Sequence, residues 1–240
     1  MKNILCIISL LCMPLVAKEQ KFYTPEQDKG GMTNSAAIDQ SLPNVLILGD
    51  SISIGYTQQV RDGLKGKANV IRARDNCGDT RMGLLGLKKW LGSNHWDAIH
   101  FNWGLWDLCY RDIRPKEGIR RNDKVNGKLS TSLKDYEKNL EAIVLQLKKT
   151  GAVLIWASTT VVPEGEPGRF VGDDVKYNAV AERVMKKHGV LIDDLYSTAK
   201  AFPPEMSTKP GDVHYTKKGY AKLAEQVVAK ISEALKLQGQ

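Results

Sequence analysis

Two side chains near opposite ends of the chain have the types needed for nucleophilic chemistry. Ser51 ends the run Asn44-Val45-Leu46-Ile47-Leu48-Gly49-Asp50-Ser51, in which apolar residues stop at a Gly-Asp-Ser turn and a helix-compatible stretch follows. His214 lies in Gly211-Asp212-Val213-His214-Tyr215-Thr216, just ahead of a long amphipathic stretch. A neutral imidazole can take the proton of a serine hydroxyl as it attacks a carbonyl and return it to the leaving group. The attack places charge on the carbonyl oxygen, which must be met by hydrogen-bond donors. Candidate donors are the N–H of Ser51 at a helix start, the N–H of Gly78 in Asp75-Asn76-Cys77-Gly78-Asp79-Thr80, and the side chain of Asn102 or Trp106 in Asn102-Trp103-Gly104-Leu105-Trp106-Asp107. An indole N–H and a carboxamide both serve that purpose, and the residues alone do not choose between Asn102 and Trp106. A serine at such a turn also commonly caps a helix. Its coincidence with Gly78 and His214 favours the chemical role.

These residues need strand ends to converge on them. The apolar patterns predict strands at about 44–49, 68–73, 97–103, 152–157 and 189–193, each followed by a helical pattern at about 52–65, 80–92, 133–149, 174–188 and 216–236. Regular alternation of this kind specifies an α/β protein, a three-layer α/β/α sandwich with a flavodoxin-like five-stranded parallel sheet. The carboxyl ends of the first three strands then meet at one edge, where ligands bind in open α/β sheets.

Ahead of this domain, assigned to 43–240, Lys2 and the apolar stretch Ile4–Val16 have the layout of a signal peptide over 1–17, cleaved near Ala17, and 18–42 read as a flexible segment. The expected location is secreted or periplasmic, with no transmembrane segment after cleavage. The formal charge is +8 at pH 7, which favours acidic partners. Nucleic acid is set aside because no interleaved basic and aromatic run or zinc spacing is present; an acylated, anionic polysaccharide or oligosaccharide fits export better. His95, His100 and His188 show no metal-ligand spacing and read as structural.

The informative segments together resemble the SGNH (GDSL-like) hydrolases. The four motif blocks of that family stand here as Gly49-Asp50-Ser51-Ile52-Ser53, Asn76-Cys77-Gly78-Asp79, Gly104-Leu105-Trp106-Asp107 and Gly211-Asp212-Val213-His214, in family order over about 44–236. The resemblance implies the SGNH hydrolase fold and a serine ester hydrolase with no metal or organic cofactor. It gives Ser51 as nucleophile, His214 as base, Asp212 as acid, and Ser51, Gly78 and Asn102 or Trp106 as the oxyanion hole. Two departures stand out: Trp106 replaces the family's third-block Asn, and the acid stands two residues before His214 where the family has three, so that either Asp212 still reaches Nδ1 of the ring or a Ser-His dyad works with a backbone carbonyl behind the imidazole.

Asp50, Trp106, Arg111 and Arg114 are assigned to the substrate side. Arg111 and Arg114 belong to a long segment, 110–128, with seven basic and three acidic residues, read either as a lid for an anionic substrate or as a solvated loop. A second irregular stretch, 163–169, is expected to form another wall of the cleft. Cys77 and Cys109 flank the two candidate oxyanion loops, and export favours a disulfide between them over two free thiols. The resulting expectation is an exported esterase removing small acyl groups, acetyl above all, from carbohydrate. Its rivals are a lipid, lysophospholipid or thioester acylhydrolase, and a catalytically impaired glycan-binding module.

Overall fold

The structure is a computed structural model that describes residues 38–112 and 121–238. The expected leader, Arg114 and the middle of the basic segment lie outside the described residues. In chain order the elements are β1 (Asn44–Leu48), α1 (Ser51–Gly63), β2 (Asn69–Arg72), α2 (Thr80–Leu91), β3 (Ala98–Phe101), β4 (Tyr110–Arg111), β5 (Lys128–Leu129), α3 (Leu133–Lys148), β6 (Val153–Ala157), α4 (Asp173–His188), β7 (Leu191–Asp193), α5 (Leu195–Lys200) and α6 (Lys217–Gln238). Five parallel strands form the main sheet in the order β2-β1-β3-β6-β7. That is the flavodoxin-like order, and it matches the sequence pattern strand for strand.

Its central strands are apolar on both faces, because helices cover both: Val45, Leu46, Ile47 and Leu48 are all buried. α1, α5 and α6 pack together on one face, while α2, α3 and α4 pack together on the other. The α1–α6 contact is close because Gly55 faces the ring of Tyr220, where a Cβ would stand 2.1 Å from it. Across the sheet, Gly83 of α2 lets Trp103 and Ile143 approach in the same way. Under α6, a buried polar set crosses β6: His100 Nε2 and Asp193 Oδ2 lie 2.9 Å apart, and Gln226 Nε2 donates to Asp193 Oδ1 at 2.7 Å. No helix among the described residues is long and apolar enough to cross a membrane.

Two pieces were not predicted. Asp194 caps the short helix α5, which is too short to show a helical period. Residues 110–111 and 128–129 pair as an antiparallel ribbon within the basic segment. The described part of that segment is no solvated loop: Tyr110 N donates to Gly168 O at 2.7 Å, Lys124 N to Pro167 O at 2.8 Å and Lys124 Nζ to Glu166 O at 2.7 Å. These bonds join it to 163–169 as one wall beside the strand ends.

The expected disulfide is absent, and Cys77 and Cys109 are free buried thiols. Their loops are neighbours but their side chains turn apart. Cys77 Sγ faces Asp75 O at 3.9 Å, whereas Cys109 Sγ faces Asn122 Oδ1 at 3.4 Å and would lie 3.0 Å from a Cβ at Gly168.

Candidate active site

The turn after β1 delivers Ser51 as the first residue of α1. The capping role belongs to its neighbour: Asp50 Oδ1 accepts from Ile52 N at 2.9 Å. Ser51 is therefore released from capping. The N–H of Ser51 occupies a position that lacks an intrahelical partner. Asp50, expected on the substrate side, borders the cleft beside Ser51 and is only 1% exposed. Burial pushes its carboxyl up, against the opposing pull of the Ile52 N–H and of Arg169 and Arg72.

Arg72, at the end of β2, clamps this turn from beneath. Its guanidinium donates to Gly49 O at 2.8 Å, Ser53 Oγ at 3.1 Å, Ala73 O at 2.5 Å and Asp75 O at 3.2 Å. An arginine buried at 2% exposure requires such a full set of acceptors. It links the nucleophile turn to the loop after β2, and Cys77 N adds a bond to Gly49 O at 3.1 Å. In the sequence Arg72 is simply one residue of a strand.

From the far end of the chain, the loop before α6 brings in His214, whose Nε2 lies 2.9 Å from Ser51 Oγ. His214 Nδ1 lies 2.6 Å from Asp212 Oδ1, and the same oxygen accepts from His214 N at 3.1 Å. This turn explains how an acid only two residues away reaches the ring: the carboxylate folds back over the backbone N–H and meets Nδ1 on the same side. Gly211 makes the turn with φ +74, packed so closely on the 163–169 wall that a Cβ would stand 2.9 Å from Gly165 O. Thr208 Oγ1 donates to the other carboxylate oxygen at 2.6 Å. Partial burial works to raise Asp212, but the bonds from Thr208 and His214 outweigh it and hold the carboxyl below its ordinary range. Asp212 thus stays ionised, facing Nδ1, the ring nitrogen that carries the hydrogen when Nε2 is an acceptor. Thr208 has no sequence signature.

The three residues line an open cleft of about 480 Å³ together with Asn76, Trp106, Arg111, Asn122, Glu166, Arg169 and Lys209. Trp106 lies in this cleft with Arg111 Cζ 4.3 Å above its ring. Arg111 Nη1 donates to Asn122 Oδ1 at 3.1 Å. Asn102 does not line it. Its Nδ2 donates to Ala157 O at 2.7 Å, and the side chain borders a small inner void with Tyr56 and Thr160. Of the two candidate side-chain donors, only Trp106 lines the cleft that holds Ser51 and His214. Trp103 is core, with its indole N–H on Cys77 O at 3.2 Å. Gly78 N, the expected backbone donor, gives its hydrogen to Asn76 Oδ1 at 3.0 Å.

One wall holds a buried ion pair that sequence reasoning missed. Arg169 Nη1 meets Glu166 Oε1 at 2.6 Å, Arg169 Nε donates to Leu105 O at 2.7 Å, and Glu166 Oε2 accepts from Gly168 N at 2.7 Å. These side chains are 5% and 3% exposed, yet both residues border the cleft.

No protein-family model matches the sequence, and no curated protein is similar to it. Solved structures do match the fold. A lipase/acylhydrolase from Enterococcus faecalis superposes with a TM-score of 0.64 at 19% identity, over 80% of this chain and 96% of that one. An acetyl xylan esterase gives 0.63 at 16% identity, over 78% of this chain and 99% of that one. A GDSL-like lipase from Bacteroides thetaiotaomicron gives 0.58 at 17% identity, over 80% and 88%. The fold is that of the SGNH, or GDSL-like, hydrolases. Ser51 and His214, from the first and fourth sequence blocks, meet beside the strand ends of that fold, 2.9 Å apart. The third-block tryptophan opens into the cleft, and the asparagine beside it is turned away.

Proposed function

We propose that this protein is a serine ester hydrolase that removes small acyl groups, principally acetyl, from carbohydrate carrying negative charge, and that it acts outside the cytoplasm. The observation that carries the proposal is the continuous relay from Ser51 Oγ through His214 Nε2 to Nδ1 and Asp212, with links of 2.9 and 2.6 Å. Ser51 Oγ attacks the acyl carbonyl as His214 Nε2 takes its proton. The tetrahedral intermediate collapses, His214 protonates the departing sugar oxygen, and Ser51 keeps the acyl group. Water, deprotonated by His214, then attacks the acyl-enzyme and releases the carboxylic acid.

The choice of substrate rests on the cleft walls. They present Trp106, a surface suited to a sugar ring, and the cations Arg111, Arg169 and Lys209. The acids Asp50, Glu166 and Asp212 share this wall with those cations, so the wall is charged throughout, and it is the chain's formal charge of +8 at pH 7 that favours an acidic ligand. A long-chain lipase needs a continuous apolar groove, which this polar wall does not supply. Acetyl xylan esterases stand among the structural neighbours, and the signal-like 1–17 segment supports export.

The test is hydrolysis of p-nitrophenyl acetate, butyrate and octanoate, with acetate release from acetylated glucuronoxylan compared with neutral acetylated xylo-oligosaccharides. Activity that falls with chain length, favours the acidic glycan at low salt and vanishes in Ser51→Ala is expected. A preference for octanoate refutes the substrate class in favour of a lipid acylhydrolase. Failure to cleave any ester, with Ser51 inert to a fluorophosphonate probe, refutes the hydrolase itself and leaves a glycan-binding scaffold.

A further inference from the structure

Among the donors aimed at the nucleophile, the carboxamide usual to the fold is missing from its place: Trp106 occupies it, and the amide of Asn102 is spent on Ala157 O. The second expected donor, the N–H of Gly78, is also spent, on Asn76 Oδ1 at 3.0 Å. Those observations converge on one residue. A backbone N–H can only donate, so the atom it meets on Asn76 must be the carboxamide oxygen, and this fixes the orientation of the amide. Its Nδ2 then has no hydrogen-bond partner among the described residues, while the side chain lines the same cleft as Ser51 and His214. The loop carrying it is held against the nucleophile turn by Cys77 N on Gly49 O and by Arg72, which binds Gly49 O and Asp75 O together.

We propose that Asn76 is a catalytic residue whose Nδ2 donates to the oxyanion, so that the carboxamide donor of this site comes from the loop after the second strand rather than from the loop after the third. The inference rests on the ester-hydrolase reading above. In it, the bond from Gly78 preorganises the amide: with Oδ1 pinned, Nδ2 holds its direction before substrate arrives and needs no reorganisation as charge develops. The Ser51 N–H supplies the second donor, and Trp106 serves as a wall for the substrate.

Asn76→Ala and Asn76→Asp test this together. Alanine removes the donor and the lock on Gly78 but adds no charge. Aspartate keeps the acceptor that holds Gly78 and removes the donor. Only the loss of the donor is common to both. The expected result is a fall of about 10²–10³-fold in kcat on p-nitrophenyl acetate in each variant, with KM within about threefold of wild type, the same melting temperature for Asn76→Asp, and a parallel fall in the rate at which a fluorophosphonate labels Ser51. The inference is overturned if wild type is labelled and turns over while either Asn76 variant keeps its kcat within about threefold. Wild type that is neither labelled nor active overturns the hydrolase reading and this inference with it, a result distinct from the first.

Discussion

Replacing Asp107 by Asn should change how the stability of this protein depends on pH, by an amount the structure allows to be worked out. Asp107 is fully buried, and its Oδ1 accepts from Thr80 N at 3.0 Å and Thr80 Oγ1 at 2.6 Å, tying the start of α2 to the third-block loop. Its Oδ2 has no partner among the described residues. Burial pushes the carboxyl from its ordinary 3.8 to about 7, against the lowering effect of the Thr80 bonds. A value raised on folding means that the folded state prefers the protonated acid. The associated stability is present in full below the unfolded value and is lost as pH rises through the folded one. The gap of about 3 pH units, at about 1.4 kcal/mol each, corresponds to about 4 kcal/mol. Asparagine keeps the oxygen that Thr80 needs and cannot ionise. Urea unfolding of wild type and Asp107→Asn, followed by tryptophan fluorescence from about pH 4 to about pH 8, should show the variant gaining about 4 kcal/mol on wild type across that range. Titration of all other carboxyls cancels in the difference. A gap constant to within about 1 kcal/mol would refute the argument, because it would mean that Asp107 ionises in the folded protein as readily as in the unfolded chain.

Three further outcomes follow from the geometry. Asp212→Ala should lower kcat by about 10³-fold or more, whereas Thr208→Val, which removes only the bond to the other carboxylate oxygen, should cost about tenfold or less; steady-state kinetics of both variants on p-nitrophenyl acetate separate the two roles. Arg169→Met should destabilise the protein by about 3–5 kcal/mol, because it strands Glu166 in the wall, and adding Glu166→Gln should recover most of that loss; chemical denaturation of the single and double variants checks it. With Cys77 pushed up to about 12 by burial, its thiol should resist a thiol reagent in the native protein; intact mass and thiol counting in denaturant without reductant should find Cys77 and Cys109 both free, and a mass lower by two hydrogens would contradict the structure.

The alternation of strands and helices was legible because each strand is buried on both faces and reads as an apolar run, and each helix carries its own period. Ser51 and His214 were legible for a related reason: chemistry at strand ends leaves short, local signatures. Asp212 was legible as a residue but not as a geometry, since its reach to Nδ1 depends on a turn set by Gly211. Arg72, Thr208 and the Arg169–Glu166 pair left no trace, because their partners lie in segments that meet only after folding, and Asn76 was visible only as a member of the second block, with nothing to mark its contact with Gly78. The disulfide expectation failed for the same reason: neighbouring loops were inferred correctly, while the direction of each thiol within its loop was not encoded in any pattern. The choice between Asn102 and Trp106 was not encoded either, because both lie in the irregular loop after β3, where no strand alternation sets which side chain enters the cleft.

The turn that folds Asp212 back onto His214 also has a mechanical consequence. Acid and base form one unit at the start of α6, and the nucleophile stands at the start of α1, so the spacing of these two helices bears directly on the relay. Gly55 and Tyr220 set that spacing near the start of both helices, since a Cβ there would stand 2.1 Å from the ring. The tolerance of the whole assembly is therefore held by a hydrogen atom at position 55, and a single methyl group added there would act as a shim, opening the gap between Ser51 and His214 while leaving every residue of the relay in place.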